Sequence, residues 1–189
     1  MHLNPEEDEK PMSFAETAIN TFLDRKLAQP HQRTELPHPD ARSLTKGIIA
    51  GIVAGLAATA AKSMVEKVYP PHTHGEPKPS ELMAERIAGH SLAPLQKEVA
   101  SDSLHWAFGA TAGAAYGALA EYYPAASSRD GINFGMTLMA LTQETTLPAM
   151  GLAAAPADQT TREKTSEIAS HIVFGLVAET TRRLVRKML

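Results

Sequence analysis

The chain has 189 residues, of which 18 are basic and 21 acidic, giving a net charge of −3, and it contains no cysteine. The lack of cysteine excludes disulfides, thiolate metal sites and a cysteine nucleophile, and the acidic balance argues against nucleic-acid binding, which needs a basic face. A mean hydropathy of −0.19 also argues against a membrane protein, but this average hides a strong segregation of charge along the chain.

Residues 1–45 are predicted to form a polar N-terminal arm. The arm has an acidic run at 6–9 and no apolar core typical of a secretory signal, so the first apolar segment is expected to act as a signal anchor. Ser13 and Glu16 have capping-box spacing and open a predicted amphipathic helix. The apolar face of this helix comprises Phe14, Ala18, Ile19, Phe22, Leu23 and Leu27.

The rest of the chain, 46–189, is predicted to be an all-α, four-helix transmembrane bundle. The predicted helices are 47–65, 104–123, 131–150 and 167–186. The apolar windows within them carry few charged side chains: Lys62, Glu121, Glu144, Glu167 and Glu179. A membrane-spanning helix needs about 20 mainly apolar residues, which the first two segments supply if Lys62 extends to the membrane surface. A soluble, Ala-rich four-helix bundle is the alternative.

The connection 66–103 is long and carries a second predicted amphipathic helix, which starts near Ser80. Lys and Arg are more frequent in the two terminal regions and the short second connection than in the other two connections. Both termini are therefore predicted to be cytoplasmic. His72 and His74 supply two potential metal ligands in this connection, but no third ligand is placed by the sequence, and no metal site is predicted.

Glycines recur every four residues in three of the segments. The predicted helix-packing glycines are Gly47, Gly51, Gly55, Gly109, Gly113, Gly117, Gly131, Gly135 and Gly175. Small residues at this spacing let helix backbones approach closely in lipid, whereas an internal Gly costs a soluble helix about 1 kcal/mol relative to Ala. The glycine ladders therefore favour the membrane interpretation.

Histidines and acids lie on the same helix faces as these glycines. Charged groups in a bilayer usually face the bundle interior, so a polar cluster within the membrane is predicted. Its members are His105, Glu121, Glu144, His171 and Glu179. Two interpretations remain open: hydrogen bonds that hold the helices together, or a site that responds to protons or ions.

Two short patterns suggest an internal repeat. The sequence H-x-x-F-G occurs at 105–109 and again at 171–175, and the first and third segments both begin with GxxxG. Two helical hairpins related as a parallel repeat would produce this arrangement, with chance as the alternative.

Three motifs carry a resemblance to a known family. The pattern H-W-x-x-G-x-x-x-G-x-x-Y-G at 105–117, an acid followed by P-x-x-G at 144–151, and S-H-x-V-x-G-x-x-x-E at 170–179 resemble the YagU-like family of bacterial inner-membrane proteins. The likeness covers about 45–189. It implies a four-helix integral protein of the cytoplasmic membrane, with no established biochemical activity.

No common catalytic motif stands out, since GxSxG, a P-loop and HExxH are all missing from the sequence. No enzymatic activity, cofactor or metal is therefore expected. The expected protein is an integral inner-membrane protein with a structural or stress-related role, and its expected partners are the lipid bilayer and a second copy or another membrane protein. The alternatives are a small proton- or ion-coupled transporter or channel, and a soluble helical scaffold.

Overall fold

The computed structural model describes Thr21, residues 42–71 and residues 77–189. All of these except Thr21 belong to one compact unit. Apart from Thr21, which is helical, the predicted amphipathic helix of the N-terminal arm lies outside the described residues, as do His72 and His74.

All regular structure in the described ranges is helical, so the predicted all-α class is confirmed. Five α-helices have ten residues or more: α1 (Leu44–Val68), α2 (Pro79–Ala88), α3 (Pro94–Tyr122), α4 (Ile132–Leu141) and α5 (Thr161–Met188). Local signals fix several of their ends. The Ser43 side chain caps α1, a proline opens α2 and α3, and Thr160 and Glu163 form a capping box at the start of α5.

The third predicted helix, 131–150, is interrupted. After α4 the chain forms a π-helical turn, Thr142–Thr146, and one final helical turn, Leu147–Ala149. Pro148 explains the wider turn, because proline has no N–H and its ring would collide with the carbonyl four residues earlier in an α-helix. The segment therefore stays helical but changes its pitch near Glu144.

The turn before α4 has an unusual backbone. A 3₁₀ segment, Pro124–Gly131, ends in three consecutive residues with left-handed conformation: Arg129 at φ 51°, Asp130 at φ 53° and Gly131 at φ 87°. Only glycine adopts this conformation without cost. The strained turn brings the start of α4 against the backbone of α5 at Gly175.

Helix α1 runs antiparallel to α3 and α5, and α4 runs antiparallel to α5. Contacts place α1 against both α3 and α5, and α4 against α5. The short helix α2 lies against the N-terminal part of α3, where the hydroxyl oxygens of Ser80 and Ser101 are 2.7 Å apart.

The centre of the bundle contains one aromatic stack. The rings of Tyr116 in α3 and Phe134 in α4 are parallel within 13°, with centroids 4.1 Å apart, and Phe134 contacts Phe174 of α5 at 6.0 Å. Alanines pack around them: Ala58, Ala120 and Ala178. With few large side chains inside, the distance between helices is set by small residues.

Among the described helices, α1 alone is both long and apolar enough to cross a membrane. Helices α3 and α5 have 29 and 28 residues, which is sufficient length, but polar and small side chains make them less apolar. Since the core helix of a soluble protein can have the same properties as α1, one such helix is weak support for a membrane location. The predicted four-helix transmembrane bundle is therefore not confirmed beyond its helical class.

Candidate functional site

Glycines bring α1 and α3 into direct backbone contact. Gly47 opposes Gly117, Gly51 opposes Gly113, and Gly55 opposes Gly109. A Cβ added at Gly51 would lie closer than 3.0 Å to the carbonyl oxygen of Gly113, and a Cβ at Gly113 would meet the carbonyl of Gly51 in the same way. Any larger residue would therefore push the two helices apart.

A second, shorter glycine contact joins α4 to α5. Gly131 and Gly175 oppose each other, and Gly135 lies against the backbone carbonyl of His171. Such close approach permits weak Cα–H···O contacts between helices. Both contacts fix the register of the helices, and this register decides which polar side chains meet at the two ends of the bundle.

The first polar group, called here the arginine cluster, lies where α1 begins and α3 and α5 end. It comprises Tyr116, Glu121, Asp130, Glu179, Arg182, Arg183 and Arg186. Glu179 is 1% exposed and accepts hydrogen bonds from the Nε and Nη2 of Arg182 at 2.7 and 2.8 Å and from the Nε of Arg183 at 2.6 Å. The hydroxyl of Tyr116 donates a further hydrogen bond to it at 2.6 Å.

Glu121, the second buried acid of this cluster, is fully enclosed. Arg186 donates to it from Nη2 at 2.6 Å and from Nε at 3.0 Å, and the backbone N–H of Ser43 donates at 2.8 Å. Arg183 also pairs with Asp130 at 3.1 Å. Three guanidinium groups thus face three carboxylates. Arg182 and Arg186 each donate two hydrogen bonds to one carboxylate, and bidentate pairs of this kind are strong because both partners are charged and planar.

The second group, called here the Lys62 cluster, lies toward the opposite end of the bundle. It comprises Lys62 and Glu66 of α1 and Glu167, Ser170 and His171 of α5. The ammonium nitrogen of Lys62 lies 2.5 Å from Glu66, 2.8 Å from the hydroxyl of Ser170 and 3.2 Å from Glu167. Here one ammonium group forms ion pairs with two carboxylates.

Lys62 does not extend to the surface as the sequence suggested. The residue is 7% exposed, because its side chain turns inward to the acceptors of α5. His171 lies beside it, with Nδ1 2.9 Å from the backbone carbonyl oxygen of Glu167 and 3.5 Å from the Lys62 nitrogen. In the Nδ1–H tautomer, His171 donates to that carbonyl, one helical turn before it.

The five residues predicted to share one polar cluster are separated in the structure. His171 belongs to the Lys62 cluster, whereas Glu121 and Glu179 belong to the arginine cluster. His105 is half-buried, with Nε2 3.4 Å from the hydroxyl of Ser63, near the Lys62 end. Along α3, His105 and Glu121 are about 24 Å apart at 1.5 Å per residue.

Glu144, the fifth residue of that prediction, joins neither cluster. It is exposed on the π-helical turn Thr142–Thr146. A role shared with His171 therefore has no support in the geometry.

Several members of the clusters were not predicted from the sequence. Arg182 and Arg183 follow Glu179 by three and four residues, and Glu66 follows Lys62 by four, so helical spacing alone would have suggested these pairs. No local signal links Arg186 to Glu121 or Lys62 to Glu167. Those pairs depend on how α5 packs against α1 and α3.

The packing also shifts the register of the suggested repeat. The H-x-x-F-G patterns align Gly109 with Gly175. The contacts instead align Gly117 with Gly175. Gly117 faces Gly47 and Gly175 faces Gly131, and each of these partners is the first glycine of a GxxxG pattern. In this register Glu121 and Glu179 correspond, and both accept arginine side chains.

These features define a class: an all-helical bundle joined by glycine contacts, with a buried ionic cluster toward each end. Residues 56–180, from the middle of α1 into α5, match a family described as "Protein of unknown function (DUF1440)". The match covers more than half of the chain, and the protein belongs to this family. Neither a curated protein nor a solved structure matches the chain.

Proposed function

We propose that this protein is an integral membrane protein with a structural rather than enzymatic role, in which the glycine contacts and the two ionic clusters hold the helices together. The observation that carries the proposal is an inverted distribution of side chains. Beside the aromatic stack, much of the interior is glycine, alanine and paired charged groups, while many large apolar side chains face outward.

The outward-facing apolar residues cover the two longest apolar helices. On α1 they are Leu44, Ile49, Ile52, Val53, Leu56 and Met64, and on α3 they are Trp106, Phe108 and Leu119. Soluble proteins rarely expose contiguous apolar surface of this kind. In lipid, the same arrangement is favourable, because apolar groups face acyl chains and charged groups pair inside.

The length of α1 is consistent with a location in the membrane. Helix α1 has 25 residues, so it is about 37 Å long at 1.5 Å per residue, and the hydrocarbon core of a bilayer is about 30 Å thick. Tyr122 and Tyr123 are exposed at the end of α3, where the interfacial aromatic residues of membrane proteins lie.

The proposal extends to the membrane in which the protein lies and to its orientation there. The resemblance to the YagU-like family supports a bacterial cytoplasmic membrane. The bias of Lys and Arg toward the termini supports cytoplasmic termini. The arginine cluster would then lie at the cytoplasmic side and the Lys62 cluster toward the opposite face.

Cell fractionation followed by alkaline carbonate extraction tests the membrane proposal. We expect the full-length protein to stay in the pellet and to dissolve only in detergent. Release into the carbonate supernatant would refute the proposal and favour the soluble helical scaffold.

Orientation can be tested by labelling, since the chain has no cysteine of its own. Single variants Lys78→Cys and Lys187→Cys place a thiol at an exposed position at each end of the bundle. In intact spheroplasts, an impermeant maleimide is expected to label Lys78→Cys, and to label Lys187→Cys only after permeabilisation. The reverse pattern would overturn the proposed orientation.

A proton- or ion-coupled transporter is the second candidate. The Lys62 cluster favours it, because two carboxylates, one ammonium and a histidine leave the group with a net negative charge that a proton or cation would balance. The flux of protons and of cations into liposomes that contain the protein would be measured for the wild type and for His171→Leu, with Glu144→Leu as a control outside the cluster. Flux lost only in His171→Leu supports transport, and no wild-type flux refutes it.

A further inference from the structure

A cavity opens directly beside the Lys62 cluster. It has a volume of about 290 Å³ and is open to solvent on one side, and its size is near the lower limit of about 300 Å³ for small-molecule sites. Part of its wall is apolar, formed by Pro77, Leu82 and Leu152, and part is polar, formed by Gln143 of the π-helical turn and by Glu163 and Glu167 of α5. A site with both kinds of wall suits a small molecule that has a polar and an apolar part.

The charged side chains among the described residues of the wall are both acidic. Glu163 and Glu167 are acidic, and none of the described residues that line the cavity is Lys or Arg. Lys62 lies behind Glu167, where Glu66 and Ser170 also hold its ammonium group. Glu167 also lies 3.3 Å from Nδ1 of His171. With His171 neutral, one ammonium shared by two carboxylates leaves negative charge at the base of the cavity, and a positively charged ligand would be attracted there.

The pairing of Lys62 shows which chemistry these acceptors accommodate. A primary ammonium group has three N–H donors, and in the Lys62 cluster three oxygens surround it at 2.5 to 3.2 Å. Among the described side chains, no group of three His, Asp or Glu is arranged to hold a metal ion. The apolar wall likewise suits a carbon chain better than a hydrated ion.

We propose that this cavity binds a small organic cation, a primary ammonium ion with a short apolar chain. The ammonium group would pair with Glu167 from the cavity side, and the chain would lie against Leu82 and Leu152. Lys62 would keep Glu66 and Ser170 as partners. The proposal is independent of the membrane location, because the cavity and its wall belong to the described fold in either setting.

The test uses the full-length protein purified in detergent, with n-butylammonium as the probe and n-butanol as its neutral counterpart. Saturation-transfer NMR and calorimetric titration measure binding. We expect saturable binding of butylammonium, and affinity for butanol weaker by about tenfold or more, since butanol lacks the charged hydrogen bond.

Three variants locate the site. Glu167→Gln is expected to weaken butylammonium binding about tenfold. Glu66→Gln, the matched control, removes the other carboxylate that holds Lys62 but does not line the cavity. Because it lowers the negative charge of the cluster without removing the group that contacts the ligand, it is expected to weaken binding by less than about threefold. Ala154→Phe fills the cavity from an exposed loop position and is expected to abolish binding without altering the cluster.

Several outcomes would overturn the proposal: no saturable butylammonium binding, equal binding of butanol, equal losses in Glu66→Gln and Glu167→Gln, or unchanged binding in Ala154→Phe. If Glu167→Gln fails to fold, as judged by circular dichroism and gel filtration, Ala154→Phe decides the question. Carbonate extraction remains a separate test of the membrane proposal.

Discussion

The two ionic clusters are built from similar residues but differ in how fully their charges are matched. In the arginine cluster, three guanidinium groups meet three carboxylates, and the Glu121 and Glu179 side chains are 0% and 1% exposed. In the Lys62 cluster, one ammonium serves two carboxylates, and the Glu66 and Glu167 side chains are 26% and 11% exposed. One cluster is enclosed and balanced. The other is more open, and with His171 neutral it carries excess negative charge.

This difference follows from side-chain chemistry. Arginine presents several donors in a rigid plane and can satisfy two carboxylate oxygens at once, whereas lysine is a point charge on a flexible chain. A balanced, enclosed cluster mainly fixes the ends of helices. An unbalanced cluster beside a cavity can exchange partners, so we assign stability to the first and ligand chemistry to the second.

The largest expected effect comes from breaking the enclosed cluster. Glu179→Gln leaves Arg182 buried without its carboxylate, and losing one member of a buried ion pair costs about 3–5 kcal/mol. The free energy of unfolding, measured by denaturant titration in detergent micelles, should fall accordingly.

The matched variant in the open cluster is Glu66→Gln. Lys62 keeps Glu167 and Ser170, and Glu66 is partly exposed, so the expected loss is about 1 kcal/mol or less. Equal losses in the two variants would contradict the proposed difference between the clusters.

A loss of stability smaller than that of Glu179→Gln is expected from pushing α1 and α3 apart. Gly113→Leu places a side chain against the backbone of Gly51 and Gly55, and overpacking of this kind costs about 1–3 kcal/mol. The control Ala115→Leu changes an exposed position on the same helix and should leave unfolding unchanged. Similar stability of the two variants would show that the close contact is not required.

A stabilising change is expected in the turn beside the arginine cluster. Arg129 is exposed and left-handed, with φ 51°, and asparagine tolerates this conformation better, so Arg129→Asn should stabilise by about 0.5–1 kcal/mol. Ala125→Asn, in the helical part of the same turn, should give no gain. Unfolding in denaturant compares the two variants, and destabilisation by Arg129→Asn would argue that the arginine side chain has a role.

The smallest effect concerns a pair outside both clusters. Lys97 donates to Glu85 at 2.8 Å and thereby holds the pKa of Glu85 below its ordinary value of 4.5, while the same hydrogen bond raises the pKa of Lys97 above 10.5. The stabilisation from Glu85 is therefore complete above pH 4.5 and is lost as the pH falls through its lowered pKa. That from Lys97 is lost only as the pH rises through its raised pKa.

Hydrogen exchange at the Leu92 amide provides a local measurement, because this N–H donates to Glu85 at 3.2 Å. Glu85→Gln should speed exchange at neutral pH, whereas Glu98→Gln, at an exposed position on the same surface, should not. Unchanged exchange in Glu85→Gln would show that the pair does not stabilise this loop.

Much of the fold could be predicted from the sequence because its signals are local. Apolar segments, capping residues and prolines place the helices, but α3 begins at Pro94 rather than at 104 and α5 at Thr161 rather than at 167, because polar first turns extend both helices beyond their apolar parts. Helical spacing anticipates pairs such as Glu179 with Arg182 and Lys62 with Glu66. The glycine spacing identified the faces where backbones meet. By contrast, hydropathy predicts one continuous helix at 131–150. The π-helical turn near Glu144 arises because Pro148 cannot fit into a regular α-helix there.

The sequence by itself thus determined an all-helical chain with small-residue faces and charges concentrated outside its apolar segments. Only the tertiary structure decided that the predicted polar residues form two clusters rather than one, that Lys62 turns inward, and that Arg186 meets Glu121. The reason is that helix pairing joins residues far apart in the chain, and their partners depend on the register set by backbone contact at the glycines.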